Sequence, residues 1–164
     1  MVSALVVPVD LPRRLELVRR ARVASAALGV PAHITLLFPF KGSDELREAD
    51  RRRIAAILRA TGPIPFRLAT ARHWDDVRYL AVEPGEPFTR LVERLVAAYP
   101  TWTPYGGAFP YVPHVTISEG APGEHPAIAD PRRPLERIAD RALLIEEGDD
   151  GRWRVRWRFH MGRG

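Results

Sequence analysis

The chain has no cysteine, which removes disulfides and thiolate metal sites together. It has almost no lysine: of its 25 basic residues only Lys41 is one, and the rest are arginine. No apolar run approaches the roughly 20 residues that a membrane-spanning helix needs, so no membrane partner is expected. The opening Met1-Val2-Ser3-Ala4-Leu5-Val6-Val7-Pro8 has no basic stretch, and a secretory leader is not expected either. The expected address is the cytoplasm. No segment is poor enough in apolar residues to act as a linker, and 164 residues suit one well-buried unit rather than two.

What stands in place of lysine is arginine, whose planar donor fork suits phosphate. A coding bias toward Arg, Ala and Pro produces the same excess without any functional meaning. The net charge of +5 therefore permits an anionic substrate without demanding one.

Patterning gives the order of elements. Ser3 to Val9 reads as a buried strand. Leu11, Leu15 and Val18 recur at helical spacing, and Gly29 is the stop. His33 to Phe40 reads as a strand. Ser43-Asp44-Glu45 opens a second helix with an acidic first turn, and Gly62-Pro63 ends it. Two strands follow near Pro65–Trp74 and Val77–Val82. Pro87 begins a third helix with the stripe Phe88, Leu91, Leu95, Val96 and Tyr99. An aromatic, glycine-containing loop from Thr101 to Val112 leads into a strand at His114 to Ser118. Glu119 to Pro134 is irregular, and Leu135 to Arg141 reads as a short helix. A hairpin, Leu143–Glu147 and Arg152–Phe159, closes the pattern. Helices mixed with hairpins predict an α+β protein with largely antiparallel sheet.

One phrase occurs twice. His33-Ile34-Thr35-Leu36 and His114-Val115-Thr116-Ile117 both read His, β-branched, Thr, apolar, with Pro31 and Pro113 just upstream. On a strand, residues i and i+2 share a face, so each copy presents an imidazole beside a hydroxyl. Imidazole gives or takes a proton near neutral pH, with an unperturbed pKa of about 6.5. Two copies facing one cleft would supply a base, an acid and two hydroxyl donors for phosphoryl oxygens. His with Thr, and no Asp, Glu or Cys at ligand spacing, makes a poor divalent-metal site, so neither metal nor other cofactor is expected.

These two phrases, with the Tyr105-Gly106-Gly107-Ala108-Phe109 loop and Pro113 before the second, resemble the 2H phosphoesterase superfamily and within it the LigT-like, 2′-5′ RNA ligase group. The resemblance covers most of the chain. It implies a bilobal, pseudo-twofold fold over 1–164, one motif per lobe, with two mainly antiparallel sheets, helices packed outside and a central cleft. It implies metal-independent opening of a 2′,3′-cyclic phosphate to a 2′-phosphate, with an RNA end or a small cyclic nucleotide as partner. His33 and His114 match the catalytic histidines of the family, and Thr35 and Thr116 its phosphate-holding hydroxyls. A non-catalytic RNA- or nucleotide-binding module of the same fold, and 2′-5′ ligation, are the alternatives. A monomer is favoured.

The surroundings are read from the residues alone. Ser118 continues the alternation of His114 and Thr116 and is a third phosphate donor. Tyr105 and Tyr111, with Trp102 and Phe109, are placed to stack a base; an aromatic plug over the third helix is the competing reading. Phe38 and Phe40 fall in the opposite phase to His33 and are assigned to the core. His73, His125 and His160 have no repeated context and read as surface or edge residues. Residues 152–159 alternate Arg with Trp, Val, Trp and Phe, predicting one apolar face and a row of four arginines. A solvated row with partners such as Glu146 is favoured over an RNA-tracking surface.

Overall fold

The run Ser3-Ala4-Leu5-Val6-Val7 is buried on both sides, as expected of a strand inside a sheet covered on both faces. In the computed structural model, which describes residues 1–120 and 128–162, this run is β1 (Ser3–Pro8). It is followed by α1 (Arg13–Arg22), α2 (Ala24–Ala27), β2 (His33–Phe40), α3 (Glu48–Thr61), β3 (Ile64–His73), β4 (Val77–Glu83), α4 (Glu86–Ala98), β5 (His114–Glu119), β6 (Leu135–Ala139), β7 (Arg141–Glu147) and β8 (Trp153–His160). The strands make two four-stranded sheets, ordered β2-β1-β7-β8 and β5-β4-β3-β6, and every pairing is antiparallel. This is the α+β architecture expected. Among the described residues no helix is long and apolar enough to cross a membrane.

Three expected helices are corrected. The first breaks at Val23, which is extended (φ −114°, ψ 113°) and separates α1 from α2. The second starts at Glu48 rather than at residue 43. Residues 43–45 form a turn, in which the Glu45 and Leu46 amides donate to the Gly42 carbonyl. The Asp50 carboxylate then accepts the Arg47 amide and caps the helix, one of its four otherwise orphaned donors. The short helix at residues 135–141 is strand β6, paired with β3 from Leu68–Leu135 to Ile64–Ala139. Its true period is two: Leu135, Arg137 and Ala139 are more buried than Glu136 and Ile138.

The fold repeats a unit. β1-α1-β2 and β4-α4-β5 are each a strand, a crossing helix and a motif strand, and each motif strand is an edge of its sheet. The helices cross over: α1 packs against β5, and α4 against β2, while β2 and β5 lie beside one another. One apolar cluster unites Leu5 and Val7 of the first sheet, Leu80 and Val82 of the second, Ile54 and Leu58 of α3, and Phe88, Leu91 and Leu95 of α4. Each such fully buried side chain stabilises the fold by about 2 kcal/mol.

Because cross-strand partners share a face, register assigns the faces. Leu5 and Val7 point to this core. Val6 pairs with Thr35 and Pro8 with His33, so the first motif sits on the opposite face of its sheet. That face also carries a smaller cluster of Ala4, Val6, Val30 and Ile145, with Leu143, Trp153 and Val155 packed against it. In the second sheet Thr116 pairs with Tyr79 and His114 with Ala81, opposite the buried Leu80 and Val82.

Irregularities in the ladders reset the phase. β8 holds one residue more than β7 between the pairs Leu144–Trp157 and Ile145–Val155. The strict alternation expected for this strand is therefore corrected. Trp157 and Phe159 join the main core, whereas Trp153 and Val155 lie on the motif face, and the four arginines do not share one face. Phe40 is buried as expected, but Phe38 is 37% exposed and lies against Trp153, ring centroids 6.2 Å apart. The extra residue at Leu36 puts Leu37 on the core face and so carries Phe38 off it, and a second register shift between Leu37 and Phe40 returns Phe40 to the core. His125 lies outside the described residues.

Candidate active site

Both motifs build the same local geometry. His33 Nδ1 lies 2.7 Å from the Pro31 carbonyl, and His114 Nδ1 lies 2.8 Å from the Val112 carbonyl. A carbonyl only accepts, so each Nδ1 carries the proton and each Nε2 is left as the proton-accepting nitrogen. The carbonyl comes in each case from two residues upstream, in the proline-containing approach to the strand.

Past each Thr the strand bulges. β2 places Leu36 as an extra residue between the pairs Val6–Thr35 and Leu5–Leu37. β5 does the same with Ile117, between Tyr79–Thr116 and Arg78–Ser118. A bulge moves the following side chains to the other face. His and Thr thus stay together on the motif face while the next residue turns inward. Ser118 is the casualty of this device: it is fully buried and pairs with Arg78, across the sheet plane from Thr116. The structure does not bring it to the other four motif residues.

The loop expected to stack a base does something else in part. The Tyr111 hydroxyl donates to the Thr35 carbonyl at 2.8 Å, and the Tyr105 phenol hydrogen-bonds the Thr35 side chain. Tyr105 reaches it from a 3₁₀ turn, Pro104–Gly107, with left-handed backbone (φ 55°, ψ 28°), a conformation uncommon for a non-glycine residue. Burial raises both phenols above their ordinary pKa. These tyrosines are braces on the first motif rather than open stacking surfaces. Trp102 packs edge-on against Phe40 at 5.9 Å, as a plug. Phe109 is exposed.

The aromatic surface next to a histidine lies elsewhere, and the sequence reading missed it. Trp74 stacks on Tyr79 at 4.1 Å, and the two rings meet the His114 imidazole at 4.8 and 5.4 Å. Tyr79 is buried, while Trp74 is 40% exposed. The available signal was phase: Tyr79 alternates with the apolar Leu80 and so shares a face with its β5 partner, Thr116.

The electrostatics follow from burial. Desolvation pushes the His33 pKa down to about 4, helped by the like charges of Arg19 and His114 and opposed by the Pro31 carbonyl. His114 is also lowered by burial. Each histidine is neutral at pH 7 in the free protein. Arg19, itself buried, donates to the Val30 carbonyl and so fixes the segment whose next carbonyl holds His33. Among the described residues no three His, Asp or Glu side chains come together as a metal-binding group. His73 and His160 are exposed strand residues.

Comparison with known proteins gives a consistent picture. A "Putative phosphoesterase" of Geobacillus kaustophilus is 30% identical over 151 residues, covering 87% of this chain and 86% of the relative. The crystal structure of the Thermus thermophilus protein TT0787 matches 100% of both chains with a TM-score of 0.66 at 21% identity. Escherichia coli LigT, in a complex with 3′-AMP, matches 99% of this chain and 98% of its own with a TM-score of 0.63 at 20% identity. These structures share the fold. The family model described as the 2′-5′ RNA ligase superfamily matches residues 7–160. The chain therefore belongs to the 2′-5′ RNA ligase superfamily, the 2H phosphoesterase group that its paired motifs resemble.

Proposed function

We propose that this protein is a phosphodiesterase that opens a 2′,3′-cyclic phosphate to a 2′-phosphate by general acid–base catalysis, without a metal. The observation that carries the reading is the doubled imidazole geometry: two histidines, each tied through Nδ1 and presenting Nε2, each beside a threonine on neighbouring edge strands. One Nε2 takes a proton from water, the hydroxide oxygen bonds to phosphorus, and the bond from phosphorus to the ribose 3′ oxygen breaks. The second imidazole, protonated, gives its proton to that oxygen, so the products are a 2′-phosphate and a 3′-hydroxyl. Thr35 and Thr116 donate to the non-bridging oxygens as charge builds there.

His33, whose pKa burial and the nearby Arg19 and His114 hold at about 4, is read as the base, since it stays unprotonated through neutral pH. His114 is then the acid, and a bound phosphate anion beside it raises its pKa into the working range. The exposed Trp74 is the surface for the base of the terminal nucleotide. The 3′-AMP complex of LigT supports a nucleotide as the ligand class.

The test is incubation with 2′,3′-cyclic AMP and with a trinucleotide ending in a 2′,3′-cyclic phosphate, in EDTA, with products identified by chromatography. The 2′-phosphate is the expected product, and loss of turnover in EDTA overturns the metal-free mechanism. Binding without turnover makes the protein a nucleotide-binding module; joining of 2′ and 5′ ends makes it a ligase.

A further inference from the structure

Helix α1 is joined to the first lobe and mounted on the second. The chain runs through it from β1 to β2, yet the helix packs against β5, the strand of His114 and Thr116. Glu119, at the end of β5, holds the helix break from the same side: its carboxylate accepts the Ala24 amide at 3.2 Å. Arg19 is the side chain that reaches back from this helix. It is 3% exposed; Nη2 donates to the Val30 carbonyl, and Nη1 donates to Glu16 at 3.3 Å. Val30 is itself packed on the motif face of the first sheet, and the next carbonyl, that of Pro31, holds His33.

A buried cation is an expensive way to fill this place, and an apolar side chain of similar volume would serve packing at least as well. Its carboxylate partner Glu16 is also shared with Arg20, and Glu119 acts on it at longer range. What the guanidinium adds is a planar fork that grips a carbonyl and a carboxylate together, and a fixed charge toward His33. The groups that act on His33 from the elements around it are Arg19 on α1, His114 on β5 and the Pro31 carbonyl. No cation acts in this way on His114, which meets burial and the Val112 carbonyl.

We propose that Arg19 is a positioning residue, a strut from the helix mounted on the second lobe to the Val30–Pro31 segment of the first, which fixes the His33 imidazole relative to His114 and keeps a positive charge beside it. This rests on the acid–base reading above for what His33 does. The strut is also within reach of solutes. A cavity of about 630 Å³, whose lining includes Glu16, Arg19, Val30 and Pro31, opens beside the guanidinium. It is large enough to admit a small planar cation in place of a deleted side chain.

The test compares Arg19→Ala with Arg20→Ala, whose side chain shares Glu16 but is 71% exposed. With 2′,3′-cyclic AMP, Arg19→Ala is expected to lower kcat about tenfold with KM retained. It should also move the acid limb of kcat/KM up by about half a pH unit, and regain turnover in methylguanidinium but not in methylammonium. Arg20→Ala changes none of these. A merely structural role would lower Tm without moving the acid limb or allowing the rescue. Arg19→Lys keeps the charge and loses the fork, so it is expected to lower kcat with the acid limb in place, and it carries the test if Arg19→Ala does not fold. An unmoved acid limb and absent rescue in Arg19→Ala, or wild-type kcat in Arg19→Lys, overturn the proposal. A second readout needs no turnover: titration of the His33 ring by nuclear magnetic resonance, whose midpoint is expected to rise in Arg19→Ala and to stay in Arg20→Ala. If the wild type turns over no cyclic phosphate, the acid–base reading fails by itself, and an equal midpoint in Arg19→Ala and wild type still overturns the action of Arg19 on the imidazole.

Discussion

The two lobes share a scaffold and differ in what surrounds it. Each ties Nδ1 of its histidine to a carbonyl two residues back, and each bulges directly after its threonine. The first lobe then braces its threonine with two phenols from the opposite half of the chain and presses the buried Arg19 toward its histidine. The second sets its histidine against an open indole. The two lobes thus share one imidazole–threonine geometry, while their neighbours give the two imidazoles different surroundings. The proposed reaction needs one base and one acid, and equal surroundings would supply two of the same.

The largest expected effect tests what the lobes share. His33→Ala and His114→Ala are each expected to lower kcat by about 10³-fold, measured by steady-state turnover of a cyclic nucleotide. Unchanged turnover in either variant breaks the pairing. Thr35→Val and Thr116→Val are expected to cost about 10²-fold each in kcat; a large effect at only one would confine phosphate stabilisation to one lobe.

The pH dependence sharpens the difference. The folded pKa of His33, about 4, lies below its unfolded value of about 6.5. Between these values the unfolded chain binds more protons, so stability rises with pH across that window, by up to about 3 kcal/mol. Urea denaturation at pH 4.5 and 7 measures it, and His33→Gln is expected to remove more of this dependence than His114→Gln. The smallest effects belong to the surroundings. Tyr111→Phe deletes the hydrogen bond to the Thr35 carbonyl, a loss of about 1 kcal/mol, and is expected to lower kcat about fivefold with KM retained. Trp74→Ala is expected to raise KM by a similar factor with kcat retained. An exchange of these two signatures would reverse the roles assigned to the lobes.

Local chemistry was the legible part of the sequence. The motif strands, the stop at Gly62 and the amphipathic stripe of α4 follow from period and capping alone. Whatever depended on a ladder partner was not legible. Ser118 was placed by simple alternation, and the bulge at Ile117 moved it inside. The same assumption put four arginines on one face of β8 and missed the extra residue that separates Arg158 from Arg154. Tyr105 and Tyr111 were recognised as close to the site, but their attachment to Thr35, some seventy residues away, is a tertiary fact. Residues 135–139 were misread because five residues are too few for either period to assert itself.

The strand order of the first sheet bears on how the protein comes off the ribosome. By the end of β5 both motifs have been synthesised, and β3, β4 and β5 already stand in sequence to close most of the second sheet. β1, apolar on both sides, still has only β2 beside it, because its other neighbour is β7. An uncovered apolar edge of this kind invites pairing with other chains. A premature stop after residue 120 would spare every histidine and threonine of the site and still leave β1 with that bare edge. The last two strands are the clasp of the first lobe.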